Sequence, residues 1–197
     1  MANDKDIDFL FEMGTLRYIP RTWRQFLGAD FANVAEHTFR LMWIALCLAK
    51  AEKADPAKVL QMALCHDITE SRTGDVHYIS RMYTQRDEDK AMKDIATGTS
   101  LEAELLALHE EYERRETIEA KVVKDADTLD VDMELMEEKG RGGTLNDVFH
   151  KQRERVRTLL LTDSAKAMWE RIYATDPHSW HLAAPNRLTH GDWKPNE

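Results

Sequence analysis

Apolar residues recur every three or four positions over most of this chain, which is the spacing that one face of an α-helix requires. The pattern is clearest after Thr117, where the apolar positions are Ile118, Val122, Ala126, Leu129, Met133 and Met136. Convincing alternation of apolar and polar residues, the pattern of a half-buried strand, is absent. Eight glycines and five prolines in 197 residues leave few positions at which a helix must stop. The sequence therefore predicts an all-α bundle.

Capping residues and helix breakers predict where the helices begin and end. The predicted helices cover residues 5–18, 33–52, 56–67, 86–96, 100–114, 117–140, 145–161 and 163–175. The residues at which helices are predicted to open are Asn33, Asp55, Ser100, Thr117 and Asp163. Residues 21–32, which follow Pro20, are predicted to form a loop.

The length of the chain fits one domain, which we place at residues 1–175. From residue 176 onward the composition changes, because this stretch holds three of the five prolines and three of the eight histidines. Residues 176–197 are therefore predicted to form an irregular C-terminal tail. Two arrangements fit this tail: it is strapped over the body by Trp180 and Trp193, or it is partly disordered.

The charge and composition of the chain argue against several classes of partner. The formal net charge is −9, whereas nucleic acids and anionic membranes attract clustered Lys and Arg. The apolar stretches are shorter than the roughly 20 residues that a bilayer requires, and the N-terminus lacks the pattern of a signal peptide. Cys47 and Cys65 both lie in apolar helical patterns, which argues against a disulfide framework. We therefore expect a cytoplasmic protein with no nucleic-acid or membrane partner.

The segment CHDITESRTGD, at residues 65–75, places four side chains of metal-ligand type directly after an apolar helix. These side chains are His66, Asp67, Glu70 and Asp75. A carboxylate at the C-terminal end of a helix opposes the helix dipole, so Asp67 requires a cation or another positive partner. His37 shares a predicted helical face with apolar residues and is therefore predicted to point inward.

The segment KDADTLDVD, at residues 124–132, supplies further carboxylates. Periodicity places Asp125 and Asp132 on the solvent face of the predicted helix. Asp127 lies nearer to the apolar face, and Asp130 is a rival for the inward position that periodicity does not exclude. An inward carboxylate needs a metal ion or an ion pair, because an unpaired buried charge is destabilising.

Two imidazoles and two carboxylates from three helices would form an octahedral site of nitrogen and oxygen ligands, completed by water. Such a ligand set suits Mn, Fe, Co, Ni or Zn better than Ca, which prefers oxygen ligands alone. The sequence thus predicts one divalent transition metal between the helices.

The blocks VAEHT, ALCHDITESRTGD and EEYERRETIEAKVVKDADTLD follow one another in an order and spacing that resembles the HD-domain metal-dependent phosphohydrolases. The similarity extends from about residue 10 to about residue 160 and looks closest to their 5′-deoxynucleotidase-like branch. The resemblance implies an HD-domain helical bundle with the metal site between its helices. It also implies a homodimer.

Position by position, the resemblance implies that the metal ligands are His37, His66, Asp67 and Asp127. It therefore favours Asp127 over Asp130 for the inward ligand position on this helix.

The same resemblance assigns the acid/base role to Glu70 and a second catalytic role to Asp75. In the deoxynucleotidases an Arg near a Trp contacts phosphate and sugar, and the segment PRTWRQF offers Arg21 and Trp23 for these contacts. In some relatives the Arg and the Trp are adjacent, whereas here Thr22 separates Arg21 from Trp23. Arg24 is therefore a second candidate for the phosphate contact.

The implied function is removal of the 5′-phosphate from deoxyribonucleoside 5′-monophosphates, a small-molecule substrate. One alternative is a phosphohydrolase that acts on deoxynucleoside triphosphates or a modified nucleotide with the same metal site. Another is a non-catalytic nucleotide-binding regulator. The presence of Glu70 and Asp75 argues against the regulator, because a sensor does not need acid/base carboxylates.

Overall fold

A computed structural model describes residues 3–28 and 31–184, and over these ranges the protein is built from α-helices. The helices are α1 (Asp4–Met13), α2 (Arg24–Leu27), α3 (Val34–Glu52), α4 (Pro56–Cys65), α5 (Glu70–Thr73), α6 (Glu88–Ala96), α7 (Glu102–Arg114), α8 (Ile118–Gly140), α9 (Leu145–Arg157), α10 (Asp163–Tyr173) and α11 (Ser179–Leu182). Gly14–Tyr18 and Ser80–Met82 form short 3₁₀ turns. The described ranges contain no strand, apart from an isolated β-bridge between Pro20 and Asn33. The prediction of an all-α fold is confirmed.

Helices α3, α4 and α8 form the centre of the bundle, where each packs against the other two. Their facing side chains make up most of the larger apolar cluster. Leu41 of α3, Met62 of α4 and Leu129 of α8 are 0% exposed. Burial of an aliphatic side chain of this size stabilises the fold by about 1.5–3 kcal/mol, so packing holds these helices in fixed relative positions.

A second, smaller apolar cluster connects the start of α3 and the end of α4 to α6 and α7. It includes Val34, Cys65 and Met92. Val34 and Cys65 stand close in sequence to His37 and His66, so this cluster fixes the helix ends that carry the two histidines.

Three of the predicted helix starts are confirmed. The Asn33 side chain accepts a hydrogen bond from the backbone N–H of Glu36, and the Glu36 carboxylate accepts one from the backbone of Asn33. Asp55 caps α4 ahead of Pro56, and Thr117 caps α8. Each cap satisfies backbone N–H groups that the first turn of a helix leaves free.

Two of the predicted caps are wrong. Helix α7 begins after Leu101 without a side-chain cap, and Ser100, one residue earlier, donates its backbone N–H to Asp6 at 2.6 Å. Helix α10 is capped by Thr162 rather than Asp163, since the Thr162 hydroxyl accepts a hydrogen bond from the backbone of Ala165 at 3.2 Å.

Some predicted boundaries also differ from the structure. The helix predicted over residues 5–18 ends at Met13 and continues as a 3₁₀ turn. The loop predicted over residues 21–32 contains the one-turn helix α2. The helix predicted over residues 145–161 ends at Arg157.

The predicted solvent exposure of Asp125 and Asp132 is wrong, because α8 is covered by neighbouring helices on several sides. Asp125 accepts hydrogen bonds from the backbone of residues 161 and 162, both at 2.8 Å. Asp132 forms a two-point ion pair with Arg153 at 2.8 and 2.7 Å and accepts a hydrogen bond from Tyr173. These partners compensate the cost of removing two carboxylates from water.

The described part of the tail, residues 176–184, contains the one-turn helix α11, and the irregular character of the tail as a whole stays a prediction. His178 contacts the carbonyl oxygen of Gly140 at 3.2 Å, which places this turn beside the end of α8. Trp180 is 80% exposed and so does not anchor the tail to the body. Trp193 lies outside the described residues. No helix in the described ranges combines the length and apolar character that crossing a membrane requires.

Candidate metal centre and catalytic cavity

Three helices bring the predicted metal ligands together. His37 lies one turn into α3, His66 and Asp67 directly follow α4, and Asp127 lies in the middle of α8. One potential ligand atom from each of His37, His66 and Asp127 lies within 4.8 Å of the other two. Since packing fixes these three helices, the cluster is part of the rigid centre of the fold.

Asp67 faces the same point. Its Oδ2 atom lies 3.0 Å from Nε2 of His66 and 3.7 Å from Nε2 of His37. Oδ1 of Asp127 approaches Nε2 of His37 from the α8 side, at 3.3 Å. The structure thus gathers all four predicted ligands around two imidazole Nε2 atoms.

The histidine rings are oriented by their other nitrogen atoms. Nδ1 of His37 lies 2.6 Å from Oδ2 of Asp130, and Nδ1 of His66 lies 2.7 Å from the carbonyl oxygen of Ala63. Both Nε2 atoms are buried and have no hydrogen-bond partner among the described residues. Two buried imidazole nitrogens without partners, facing two carboxylates, fit a divalent metal ion.

The charges within the cluster perturb its carboxylates. Burial alone would raise the pKa of Asp127, but the Lys124 ammonium and the two histidines outweigh this effect and hold it well below its usual value. Burial likewise opposes ionisation of Asp67, whereas His66 and His37 lower its pKa to about 2. Both groups are therefore anionic at neutral pH, as metal ligands must be.

Glu70 stands at the start of α5, 5% exposed and close to the metal cluster. Burial, together with the carboxylates of Asp67 and Asp75, raises its pKa to about 8. Its Oε1 atom lies 3.4 Å from the Arg86 guanidinium, whereas its buried Oε2 atom has no hydrogen-bond partner within the described ranges. Helix α4 ends at Cys65, and tight turns connect the end of this helix to Glu70 at the start of α5.

A cavity of about 510 Å³ opens beside the cluster. The loop before α3 contributes Arg21 and Trp23 to its lining, and the segment after α5 contributes Asp75. Arg21 is 8% exposed, and its Nη1 atom lies 3.6 Å from Oδ2 of Asp67. Arg24 lines a different cavity and is exposed.

Hydrogen bonds connect the two segments that carry these residues. Oδ2 of Asp75 accepts bonds from the backbone N–H and the hydroxyl of Thr22, at 2.7 and 3.1 Å. Gln25 and His77 form a second link, at 2.9 Å. The Trp23 ring contacts the ring of Tyr78, with 6.1 Å between their centroids.

The sequence model of the HD-domain family matches residues 13–169. The chain belongs to the HD-domain family. It is 31% identical over 137 residues to the 5′-deoxynucleotidase HDDC2 of Bos taurus, covering 66% of each chain. It is also 31% identical over 156 residues to the protein of that name from Danio rerio, covering 74% of this chain and 77% of the other.

A solved structure superimposes on this fold. The conserved hypothetical protein from Pyrococcus furiosus is 28% identical and superimposes with a TM-score of 0.72. The match covers 86% of this chain and 99% of that protein.

Several residues of this HD-domain cavity were missed by sequence reasoning. Lys124 contacts Oδ2 of Asp127 at 2.7 Å, and their three-residue spacing on one helix is a signal that could have revealed the pair. The Tyr112 ring packs edge-on against His66, with 5.9 Å between centroids. Arg86, which contacts Glu70, lies in a polar loop where no sequence pattern distinguishes it from a solvated arginine.

Proposed function

We propose that this HD-domain protein is a metal-dependent phosphohydrolase that removes the 5′-phosphate from deoxyribonucleoside 5′-monophosphates. One observation carries the proposal: two buried histidines turn unpartnered Nε2 atoms toward two carboxylates, beside a cavity that also contains a buried arginine. The relatives from Bos taurus and Danio rerio are named 5′-deoxynucleotidases, which supports the choice of substrate.

We assign the metal ion to His37, His66, Asp67 and Asp127. Their nitrogen and oxygen atoms suit a divalent transition metal such as Co, Mn, Fe, Ni or Zn. When bound, such an ion supplies Lewis acidity for a phosphoryl oxygen and lowers the pKa of a water molecule.

Arg21 is the residue that we assign to the phosphate group. A guanidinium offers planar, paired N–H donors that match two phosphate oxygens. Nε of Arg21 is buried and has no hydrogen-bond partner among the described residues, so it retains a donor for a ligand. Because Arg24 lines a different cavity, the geometry supports Arg21 over Arg24.

Glu70 is the residue that we assign to proton transfer. Without a metal ion, burial and the nearby carboxylates of Asp67 and Asp75 raise its pKa to about 8, so its carboxyl group can carry a proton and donate it to the leaving 5′-oxygen. A nearby divalent cation would lower this pKa, which would also allow the carboxylate to accept a proton from the attacking water.

Asp75 is the second carboxylate that we assign to catalysis. Its Oδ2 atom accepts both hydrogen bonds from Thr22 and so positions the segment that carries Arg21. This arrangement leaves Oδ1 of Asp75 for proton transfer or for orienting the water.

Trp23 is the residue that we assign to sugar selection. Its ring contacts Tyr78 on one side and Phe149 on another, with centroid distances of 6.1 and 6.0 Å, and it also lines the cavity. A rigid ring packed against C2′ would leave no room for a 2′-hydroxyl group and would thereby favour deoxyribose.

The test combines metal analysis of the purified protein with phosphate release from matched deoxyribo- and ribonucleoside 5′-monophosphates. We expect one divalent metal per chain and faster release from the deoxy member of each pair. Tripolyphosphate release from a deoxynucleoside triphosphate, without monophosphate hydrolysis, would identify the triphosphohydrolase instead. Nucleotide binding without any hydrolysis would identify the regulator.

The homodimer and the domain boundary at residue 175 stay predictions. Sedimentation equilibrium checks the first, and limited proteolysis checks the second.

A further inference from the structure

We propose that Asp130, which the sequence offers as a rival metal ligand, is a positioning residue that fixes the ring of His37 with Nε2 facing the metal centre. The inference rests on the proposed metal-dependent function and identifies the side chain on which the geometry of one ligand depends.

The first support is the contact between Asp130 and the ring. Oδ2 of Asp130 lies 2.6 Å from Nδ1 of His37, and Asp130 is 1% exposed. An ionised carboxylate can only accept a hydrogen bond, so Nδ1 must carry a proton. In a neutral ring Nε2 then has the free lone pair, which is the form that binds a metal ion.

The second support is that the carboxylate of Asp130 is itself held in place. Its Oδ1 atom accepts a hydrogen bond from Nε of Arg40. Nη1 of Arg40 donates to both carboxylate oxygens of Glu137, each at 2.8 Å. Both oxygens of Asp130 are therefore engaged, and rotation of the group would break a bond on either side.

These contacts also distinguish Asp130 from a metal ligand. It faces Nδ1 of His37, whereas Asp127, one turn earlier on α8, approaches Nε2 of the same ring. The two carboxylates thus contact opposite nitrogens of one imidazole.

Of the two histidines, only His37 has an orienting partner that a mutation can remove. Nδ1 of His66 is held by the backbone carbonyl oxygen of Ala63, which no side-chain substitution removes. His37 depends on a side chain for the same function, so Asp130→Ala should release one ligand ring and leave the other oriented.

The experiment measures the dissociation constant of Co²⁺ by competition with a chromophoric chelator, together with the visible absorption spectrum of the Co²⁺-loaded protein. We expect Asp130→Ala to weaken Co²⁺ binding by about 10–100-fold, the range typical for loss of such a partner. We also expect its absorption band to shift, because the ring of His37 can then rotate.

Asp125→Ala is the matched control, since Asp125 is equally buried on the same helix but bonds the backbone before α10. It should lower thermal stability and leave both the Co²⁺ affinity and the spectrum unchanged. Asp130→Asn keeps the side-chain volume and replaces Asp130→Ala in the experiment if the alanine variant does not fold. We expect it to lose less Co²⁺ affinity and to show a shifted absorption band.

Two results would overturn the inference. One is equal Co²⁺ affinity in the parent and the folded Asp130 variants. The other is an equal loss of affinity in the Asp125 control, because the effect would then reflect general destabilisation. A parent protein that binds no divalent metal would instead refute the proposed function itself.

Discussion

One side of the site is the helical wall, the metal cluster of His37, His66 and Asp127 that borders the cavity, and each of these side chains stands on or directly after a helix that packs in the apolar core. The other side is the loop wall, formed by Arg21, Trp23 and the segment 75–81, where hydrogen bonds and ring contacts between short segments take the place of packing in the apolar core. The helical wall is therefore fixed by the fold as a whole, whereas the loop wall is fixed by a few local contacts.

This difference separates two kinds of function. A metal site needs ligand positions accurate to a fraction of an ångström, which packed helices provide. Substrate preference can change through loop residues without disturbing the core that carries the metal ligands. Substitutions in the helical wall should therefore abolish function, and those in the loop wall should alter selectivity or affinity.

The largest effect is expected for His66→Ala, which should abolish both metal content and phosphatase activity because it removes a ligand from the helical wall. Metal analysis and phosphate release measure the two losses. His109→Ala is the matched control, since His109 is also buried but bonds the exposed Asp89. A metal-free His66 variant with parental activity would contradict the metal assignment.

Glu70→Gln comes next and should retain the metal while reducing turnover by about 10²–10⁴-fold, the range for a positioned proton carrier. Metal content and kcat are measured on the same preparation. Loss of the metal would show that Glu70 is a ligand, and a decrease smaller than about tenfold would remove it from the acid/base role.

For the loop wall, Trp23→Ala should narrow the preference for deoxyribo- over ribonucleotides by roughly 10–200-fold, as expected when a steric filter is removed. The ratio of kcat/KM for a matched nucleotide pair measures the change. Trp180→Ala, which alters an exposed tryptophan far from the loop wall in sequence, should leave the ratio unchanged. An unaltered ratio in the Trp23 variant, with only lower thermal stability, would make Trp23 a packing residue.

Arg21→Ala should raise KM for nucleoside monophosphates by roughly 10–100-fold, because hydrogen bonds to a charged group contribute about 1.5–3 kcal/mol. Arg24→Ala should behave like the parent, since Arg24 lines another cavity. The reverse result would show that the phosphate contact belongs to Arg24.

The smallest effect is expected for Gln25→Ala, because Gln25 bonds His77 but does not itself line the cavity. The loss of one neutral hydrogen bond should raise KM by roughly 2- to 10-fold at unchanged metal content. Gln61→Ala, at an exposed position of α4, is the control. A Gln25 variant that loses metal would show that the two walls are not independent.

The sequence was sufficient to predict the fold and the inward position of His37. Periodicity reports which face of a helix is apolar, and the Asn33 cap fixes where α3 begins. Periodicity failed for Asp125 and Asp132 because it assumes that an acidic helix face meets water. Helix α8 instead meets neighbours on several sides, and those neighbours supply the hydrogen bonds.

The contacts of the loop wall were beyond sequence reasoning. Thr22 and Asp75 are 53 residues apart, and Gln25 and His77 are 52 residues apart, with no periodic pattern between them. Such pairs form only because the core positions the two segments next to each other. The choice between Asp127 and Asp130 likewise depends on which nitrogen of His37 each one faces, which helical spacing does not specify.

Because its ligands come from three separate helices, the proposed metal centre also connects distant parts of the chain. An ion that binds only the folded state stabilises it by RT ln(1 + [L]/Kd), about 2.7 kcal/mol at a hundredfold excess over Kd. For a chain of this size that corresponds to an increase in Tm of roughly 5–10 °C. A melting curve recorded with and without a chelator would therefore report metal occupancy in the absence of any substrate.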